Sequence, residues 1–320
     1  MAERRNRDNV GTVVVAALAN LVVAAAKAVA GLISSSAALL SESAHSVADT
    51  MTELLLLVAL RRGARPADPE HPLGHGRESY LWALMAAVLT FVAGGVFSIL
   101  EGIQGIRERE RNQELFIAYV VLIISAVAEG VSLFRATRQL RRRARRWRIT
   151  PLRVVRRTPN TTVKAVFLED SAALIGLALA GIGVALSEVT GSPVYDGAAS
   201  IAIGLLLLVV ATVLGYSNLS LLVGRSAGDP AREEICRGLA EHPAIRRVTN
   251  LVALQLGPDE ILVAAKVDFV DEPGGRDVAQ AASDAGRRLA ERNPAIRWIF
   301  LDPSGGSTEP GEAAGSGRPA

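Results

Sequence analysis

Cysteine is nearly absent from this chain. Its one thiol, Cys236, excludes an internal disulfide, and there is no Cys-x-x-Cys pair to form a thiolate metal knuckle. Histidine is scarce too, at four residues. No His-Glu-x-x-His string is present, which removes the usual helix-borne zinc-hydrolase site. Aromatics make up 4% of the residues and the net charge is only +3. No cleavable signal peptide is visible: Met1 to Asn9 is polar, and the apolar run after it is of spanning length without an obvious cleavage site. Apolar residues are abundant, at half of the 320, and mean hydropathy is positive. That balance indicates a polytopic membrane protein with a modest soluble part.

The chain is organised around Ser36 to Leu60, SAALLSESAHSVADTMTELLLLVAL. It is long enough to cross a bilayer, for which roughly 20 residues suffice. Yet it carries Glu42, His45, Asp49 and Glu53, spaced by three, four and four. On a helix these fall on one narrow stripe, opposite a face of Leu, Ala, Val and Met. A charge facing lipid costs at least ~2.5 kcal/mol, so the stripe must turn to a protein interior or an aqueous cavity. His45 and Asp49, at i and i+4, can bind one cation from one helix face. A buried His–Asp hydrogen bond holding two helices together is the plainer reading.

Six spans follow from hydropathy: about Val10–Leu32, Ala37–Leu60, Tyr80–Gly102, Leu115–Phe134, Pro159–Leu186 and Gly197–Leu222. Lys and Arg in the short loops orient them. The head carries Arg4, Arg5 and Arg7. The second-to-third connection carries Arg61, Arg62, Arg65 and Arg77, and the stretch Arg135–Arg157 holds eleven arginines. Gly31–Ser36 and Ser187–Asp196 hold no Lys or Arg, and Ile103–Glu114 balances three Arg with three Glu. Both termini are therefore expected in the cytoplasm of a cell-membrane protein. The run RRRARRWR invites a nucleic-acid reading, but its place between two spans favours a topogenic or anionic-lipid role.

After the sixth span the composition changes at a polar hinge, Gly224–Asp229. Pro230–Glu241 reads as a helix and Arg247–Leu256 as a strand. Gly257-Pro258-Asp259-Glu260 reads as a turn and Ile261–Val270 as a second strand. Arg276–Arg292 reads as an amphipathic helix and Ala295–Leu301 as a last strand. The expected organisation is a head (1–9), a six-span domain (10–222), a small α/β domain (223–302) and a disordered tail (303–320).

Chemistry is concentrated in three places. The first is the His45–Asp49 pair. The second is the start of the fifth span, where Thr158-Pro159 reads as an N-cap with proline at the first helical position. Asp170 then lies eleven residues into its helix, and Asp49 eleven from Leu60, so at ~1.5 Å per residue both carboxylates reach similar depth near the membrane middle. Glu169 points about 100° away from Asp170, so one of them is expected to face a bound cation directly. The third is the loop PADPEHPLGHGR, in which Asp68, His71 and His75 have ligand types and spacing suited to Zn²⁺ or a similar ion. The same string can be a plain tight turn.

SESAHSVAD in the second span, HPLGHGRESY after it, VFLEDSAALIG in the fifth and VYDGAASIAIG at the sixth together resemble the cation diffusion facilitator (zinc transporter) family. The likeness runs nearly to Asp302. It implies an α-helical membrane protein of six transmembrane helices with a ferredoxin-like cytoplasmic domain. It further implies a homodimer that exports a divalent metal against inward proton flow, with membrane lipid as its surroundings and no cofactor. The family's transport site maps onto His45 and Asp49, and onto two positions four apart in the fifth span. If Asp170 is the second of those, the first is Val166, which cannot bind metal. Three ligands remain, with Glu169, Ser171 or water as the fourth. The Leu-Glu-Asp-Ser-Ala string looks like the branch that includes mitochondrial zinc transporters. The family's loop site matches at Asp68, His71 and His75. Its soluble-domain metal sites depend on histidines missing here, since His242 is the sole one after His75.

A His/Asp site favours zinc, whereas a carboxylate-rich one admits Mn²⁺, Fe²⁺ or Co²⁺. A non-transporting scaffold or sensor with a vestigial site is the competing class, because Val166 breaks the four-ligand pattern. An intramembrane metalloenzyme would also need a catalytic base and a substrate groove.

Overall fold

A computed structural model describes residues 20–107, 115–147, 150, 161–270 and 275–303. The head, the Thr158-Pro159 cap and the tail beyond Pro303 lie outside these. The chain divides into two compact units, Met1–Val223 and Gly224–Ala320.

The described part of the first unit begins with α1, Asn20–Ser34. A turn through Ser35, at φ 50°, leads to α2, Ala37–Gly63. Ser36 caps α2 by accepting from the Leu39 N–H at 3.2 Å, and its hydroxyl donates to Asp196 Oδ1 at 2.7 Å. Asp196 Oδ2 also accepts from the Ala38 N–H at 3.3 Å. The Asp of the VYDG motif thus places a carboxylate at the positive end of α2. Arg61 and Arg62 occupy the negative end.

Next come α3 (Glu78–Leu89), a π-helical segment (Thr90–Val96) and α4 (Phe97–Arg107). They form one continuous apolar helix of 30 residues. The remaining helices are α5 (Leu115–Trp147), α6 (Thr161–Thr190) and α7 (Val194–Val223). Among the described residues, four stretches are long and apolar enough to cross a membrane: Glu78–Arg107, Phe116–Arg138, Val163–Thr190 and Val194–Val223. The 27 residues of α2 are long enough but too polar by composition. Its Glu42 and His45 are nevertheless fully buried, while Val47, Met51, Leu54 and Leu60 are exposed on the outside. This is the inward turn of the ionisable stripe that the cost of charge in lipid demands. The start of the first span, expected at Val10, lies outside the described residues.

One boundary differs clearly from expectation. Hydropathy ends the fourth span at Phe134, but α5 runs on to Trp147. Arg, Gln, Leu and Ala all favour helix, so the helix outlasts the apolar run. Buried Ala136 and Leu140 pack this extension.

The helices meet through small residues. A Cβ on Gly102 would stand 2.6 Å from the Gly197 carbonyl, and one on Gly204 would stand 2.8 Å from the Gly95 carbonyl. Gly95 and Gly102 are seven apart, as are Gly197 and Gly204, so each pair shares a face. Backbone-to-backbone approach of this kind packs helices where lipid supplies no hydrophobic drive. It brings α7 into the centre, where Ile203 and Leu207 join Leu39, Leu56, Ala83 and Leu177 in the core.

The second unit contains α8 (Asp229–Ala240), β1 (Ile245–Gly257), β2 (Glu260–Phe269), α9 (Gly275–Arg292) and β3 (Ile296–Pro303). The strands lie in the order β1-β2-β3. The first pair, joined by the Pro258-Asp259 turn, is antiparallel; the second, joined through α9, is parallel. Every second residue of β2 from Ile261 to Val267 is buried against a core that includes Ile235, Leu239 and Leu289. It is the small α/β domain that the sequence indicates.

Gly102→Leu should lower stability by at least about 1–3 kcal/mol, because neither facing backbone can retreat. Gly130, with nothing within 4 Å of an added Cβ, is the control. Gly130→Ala should be neutral or stabilise by roughly 0.5–1 kcal/mol. Thermal unfolding of the purified protein in detergent measures both.

Candidate metal centre

In the first unit, α1, α2, α5 and α6 surround a cavity of about 100 Å³. Asn20, Asp49, Glu53, Glu129, Ser132, Glu169 and Asp170 supply its polar wall, and Val166 part of its apolar wall. The expected equal depth of Asp49 and Asp170 agrees with their sharing this cavity.

Asp170 leans toward α5, where Ser132 donates to its Oδ2 at 2.7 Å. Glu169, 7% exposed, has Asp49, Asp170 and Glu53 as its charged neighbours. Its Oε1 has no hydrogen-bond partner among the described residues. Both acids line the cavity. The longer Glu side chain spans the angular offset between adjacent helix positions.

His45 does not line the cavity. It is 1% exposed, one turn from Asp49, with Nδ1 3.4 Å from Asp49 Oδ1. That contact is within one helix, so it cannot tie two helices together. Neither ring nitrogen has a hydrogen-bond partner among the described residues. Its charged neighbours are Glu42, Lys27 and Glu129.

The other polar residues of these helices fall into two groups. Lys27 and Glu42 form a fully buried ion pair at 3.1 Å, and Lys27 also donates to Ser46 Oγ at 2.8 Å. Gly176 makes room for it, since a Cβ there would stand 2.2 Å from Glu42 Oε1. Glu53 and Glu129 instead join the cavity wall. The signal for Glu53 was its i+4 relation to Asp49; no spacing pointed to Glu129. Five carboxylates round one cavity repel one another, and a divalent cation relieves that repulsion. No three of them bring ligand oxygens within 4.8 Å of one another here.

The loop site is tighter. Ligand atoms of Asp68, His71 and His75 all lie within 4.8 Å of one another. The tight turn and the metal cluster are one structure. Asp68 Oδ1 accepts from the Glu70 and His71 N–H groups at 3.0 and 2.7 Å, and Gly74, at φ 84°, closes the turn with its N–H on the His71 carbonyl at 2.9 Å. His75 is buried between two carboxylates, with Nε2 2.8 Å from Asp68 Oδ2 and Nδ1 2.6 Å from Glu78 Oε1. The bond to Asp68, then that to Glu78, raises the His75 pKa. The bond from His75, then those from His71, lower Asp68 to about 2.

In the second unit, His242 is already engaged. Its Nδ1 accepts from the Ala244 N–H at 3.3 Å, so Nε2–H faces Asp284 Oδ2 at 3.2 Å.

Residues 13–223 match the family described as the cation efflux transmembrane domain. Over 243 residues the chain is 32% identical to the "Proton-coupled zinc antiporter SLC30A9, mitochondrial" of Xenopus laevis, an alignment covering 76% of this chain and 44% of that protein. It is 31% identical over 236 residues to "Metal tolerance protein C4" of Arabidopsis thaliana, covering 74% and 52%. Over 230 residues it is 29% identical to the "Cation-efflux pump FieF" of Klebsiella pneumoniae, covering 71% and 70%. The chain thus spans under half the length of the antiporter.

Zinc at the loop must displace the proton that the two carboxylates hold on His75. Affinity should therefore rise with pH through the raised His75 pKa and be lost as pH falls below it. Calorimetry in two buffers of different ionisation enthalpy, on a protein lacking the cavity acids, should show proton release. Asp68→Asn should weaken binding and lower the His75 pKa. Residues from Gly224 onward, purified alone, should show no submicromolar zinc site, because His242 is engaged and Cys236 is the sole thiol.

Proposed function

Because the chain belongs to the cation efflux family, we propose that it is a secondary transporter that exports divalent metal cations, zinc foremost, from the cytoplasm in exchange for protons. Proteins of this family carry metal as substrate and are not enzymes. The observation that carries the reading is the cavity where Asp49, Glu129, Glu169 and Asp170 from three helices converge inside the membrane unit. Ionisable groups at that depth mark an ion path. The antiporter relative's name supplies the zinc and the proton coupling.

In this proposal Asp68, His71 and His75 gather metal on the cytoplasmic side, where the arginine-rich connections place both termini. The cation then binds Asp49, Asp170 and Glu169. His45 joins when α2 shifts, since its ring nitrogens are not committed elsewhere. Rocking of the helices opens the cavity to the far side, where protons replace the metal. The soluble domain pairs two copies. The excess of carboxylate over imidazole at the cavity also favours carriage of Mn²⁺, Fe²⁺ or Co²⁺ by the same route.

Metal flux in liposomes, run across Zn²⁺, Mn²⁺, Fe²⁺ and Co²⁺ at imposed pH gradients, tests this. Wild type should move at least one ion in a manner set by the gradient. Flux of none would favour a scaffold or sensor. Asp49→Ala and Asp170→Ala should each abolish transport while leaving a folded protein, and near-normal flux in either would remove it from the site. His45→Asp should still bind a divalent ion, with preference moved from zinc toward Mn²⁺ and with less pH dependence between about 6 and 8. An unchanged preference and pH profile would return His45 to helix packing.

A further inference from the structure

Four ligands are what a tetrahedral divalent site needs, and Val166 cannot be one of them. The cavity shows what else is within reach. Glu53 lies one helical turn from Asp49 on the same face of α2 and lines the same wall. Asn20 of α1 donates its Nδ2–H to Glu53 Oε1 at 3.1 Å, which fixes that carboxylate. The other oxygen, Oε2, is buried with no hydrogen-bond partner among the described residues. Across the cavity, Glu169 is 7% exposed, and its Oε1 is likewise unpartnered. Asp170 and Glu129 share the cavity wall with Glu53. An anchored carboxylate with one free oxygen, in a cavity that holds a second buried free oxygen, is the arrangement of a ligand held ready for a cation.

We propose that Glu53 is a direct ligand of the transported cation, filling the coordination position that Val166 leaves vacant, with Asn20 as the residue that positions it. This rests on the transporter reading and sharpens it. The ion is held by oxygen from α2 and α6, and closure of the cavity draws Glu53, Asp49, Glu169 and Asp170 around it. The substrate class is then a divalent cation that accepts a carboxylate-rich shell.

The test uses the full chain. Zn²⁺ and Mn²⁺ binding are measured by calorimetry in detergent, and flux in liposomes, for wild type, Glu53→Gln, Glu53→His and Asn20→Ala, with thermal unfolding confirming each fold. Glu53→Gln keeps the shape and the bond from Asn20 but loses the charge, and should weaken both ions about tenfold or more. Glu53→His should recover zinc but not Mn²⁺, a change in ratio that a packing role would not produce. Asn20→Ala should weaken binding by roughly tenfold without changing the ratio. Should Glu53→Gln fail to fold, Glu53→Asp, with its carboxylate retracted by one methylene, should still lose Mn²⁺ affinity. Wild-type affinities in the folded Glu53 variant and an unchanged ratio in Glu53→His would overturn the assignment while leaving the transporter standing. Glu53-dependent binding without flux in wild type would uphold the ligand and overturn the transporter. Absence of binding in wild type would overturn both.

Discussion

Charge in a low-dielectric interior is costly, and the arrangement of the membrane unit follows from that cost. Helix α2 brings Glu42, His45, Asp49 and Glu53 into a region where none can be left to lipid. Every one of them is turned inward, and α1, α5, α6 and α7 pack around the face they share. The exposed surface of the same helix is Val47, Met51, Leu54 and Leu60. Avoidance of that penalty determines which face of α2 turns inward.

The buried charges fall into two kinds. Lys27 and Glu42 neutralise each other at 3.1 Å, Ser46 takes a further donor from Lys27, and Asp196 is held by Ser36 and the first turn of α2. These groups are largely satisfied inside the protein, and removing one partner would strand the other. At the cavity, Asp49, Glu53 and Glu169 each keep an oxygen with no hydrogen-bond partner among the described residues, as Glu42 does at Oε1. What sets the cavity acids apart is their company: five carboxylates line one cavity, with no lysine or arginine among its lining residues.

Close packing makes this possible. Gly95 and Gly102 let α7 approach at backbone distance, and Gly176 leaves room for the Glu42 carboxylate. A larger residue at any of these positions would push apart the helices that hold the acids at one depth. The loop before α3 shows the same economy at the surface. One turn, built by Asp68 and Gly74, both reverses the chain and sets three metal-ligating groups within reach of one another.

Much of this was readable from the residues in order. Period and composition disclosed the ionisable stripe, the apolar spans and the α-β-β-α-β order of the second unit. Spacing identified Asp68, His71 and His75, because three ligands within eight residues must lie near one another whatever the rest of the chain does. Helix rise alone predicted that Asp49 and Asp170 share a depth. What sequence could not decide was the partner of each long-range group. Glu53 and Glu42 sit on the same stripe, yet one meets Asn20 beside a cavity and the other meets Lys27 in the core. Glu129 reaches the cavity only because α5 packs beside α6, and His45 stays out of it although its helical spacing fits. Local periodicity specifies which face of a helix must be hidden. Only the tertiary packing specifies what that face is hidden against, because such contacts join residues far apart in the chain and depend on how closely the helices approach.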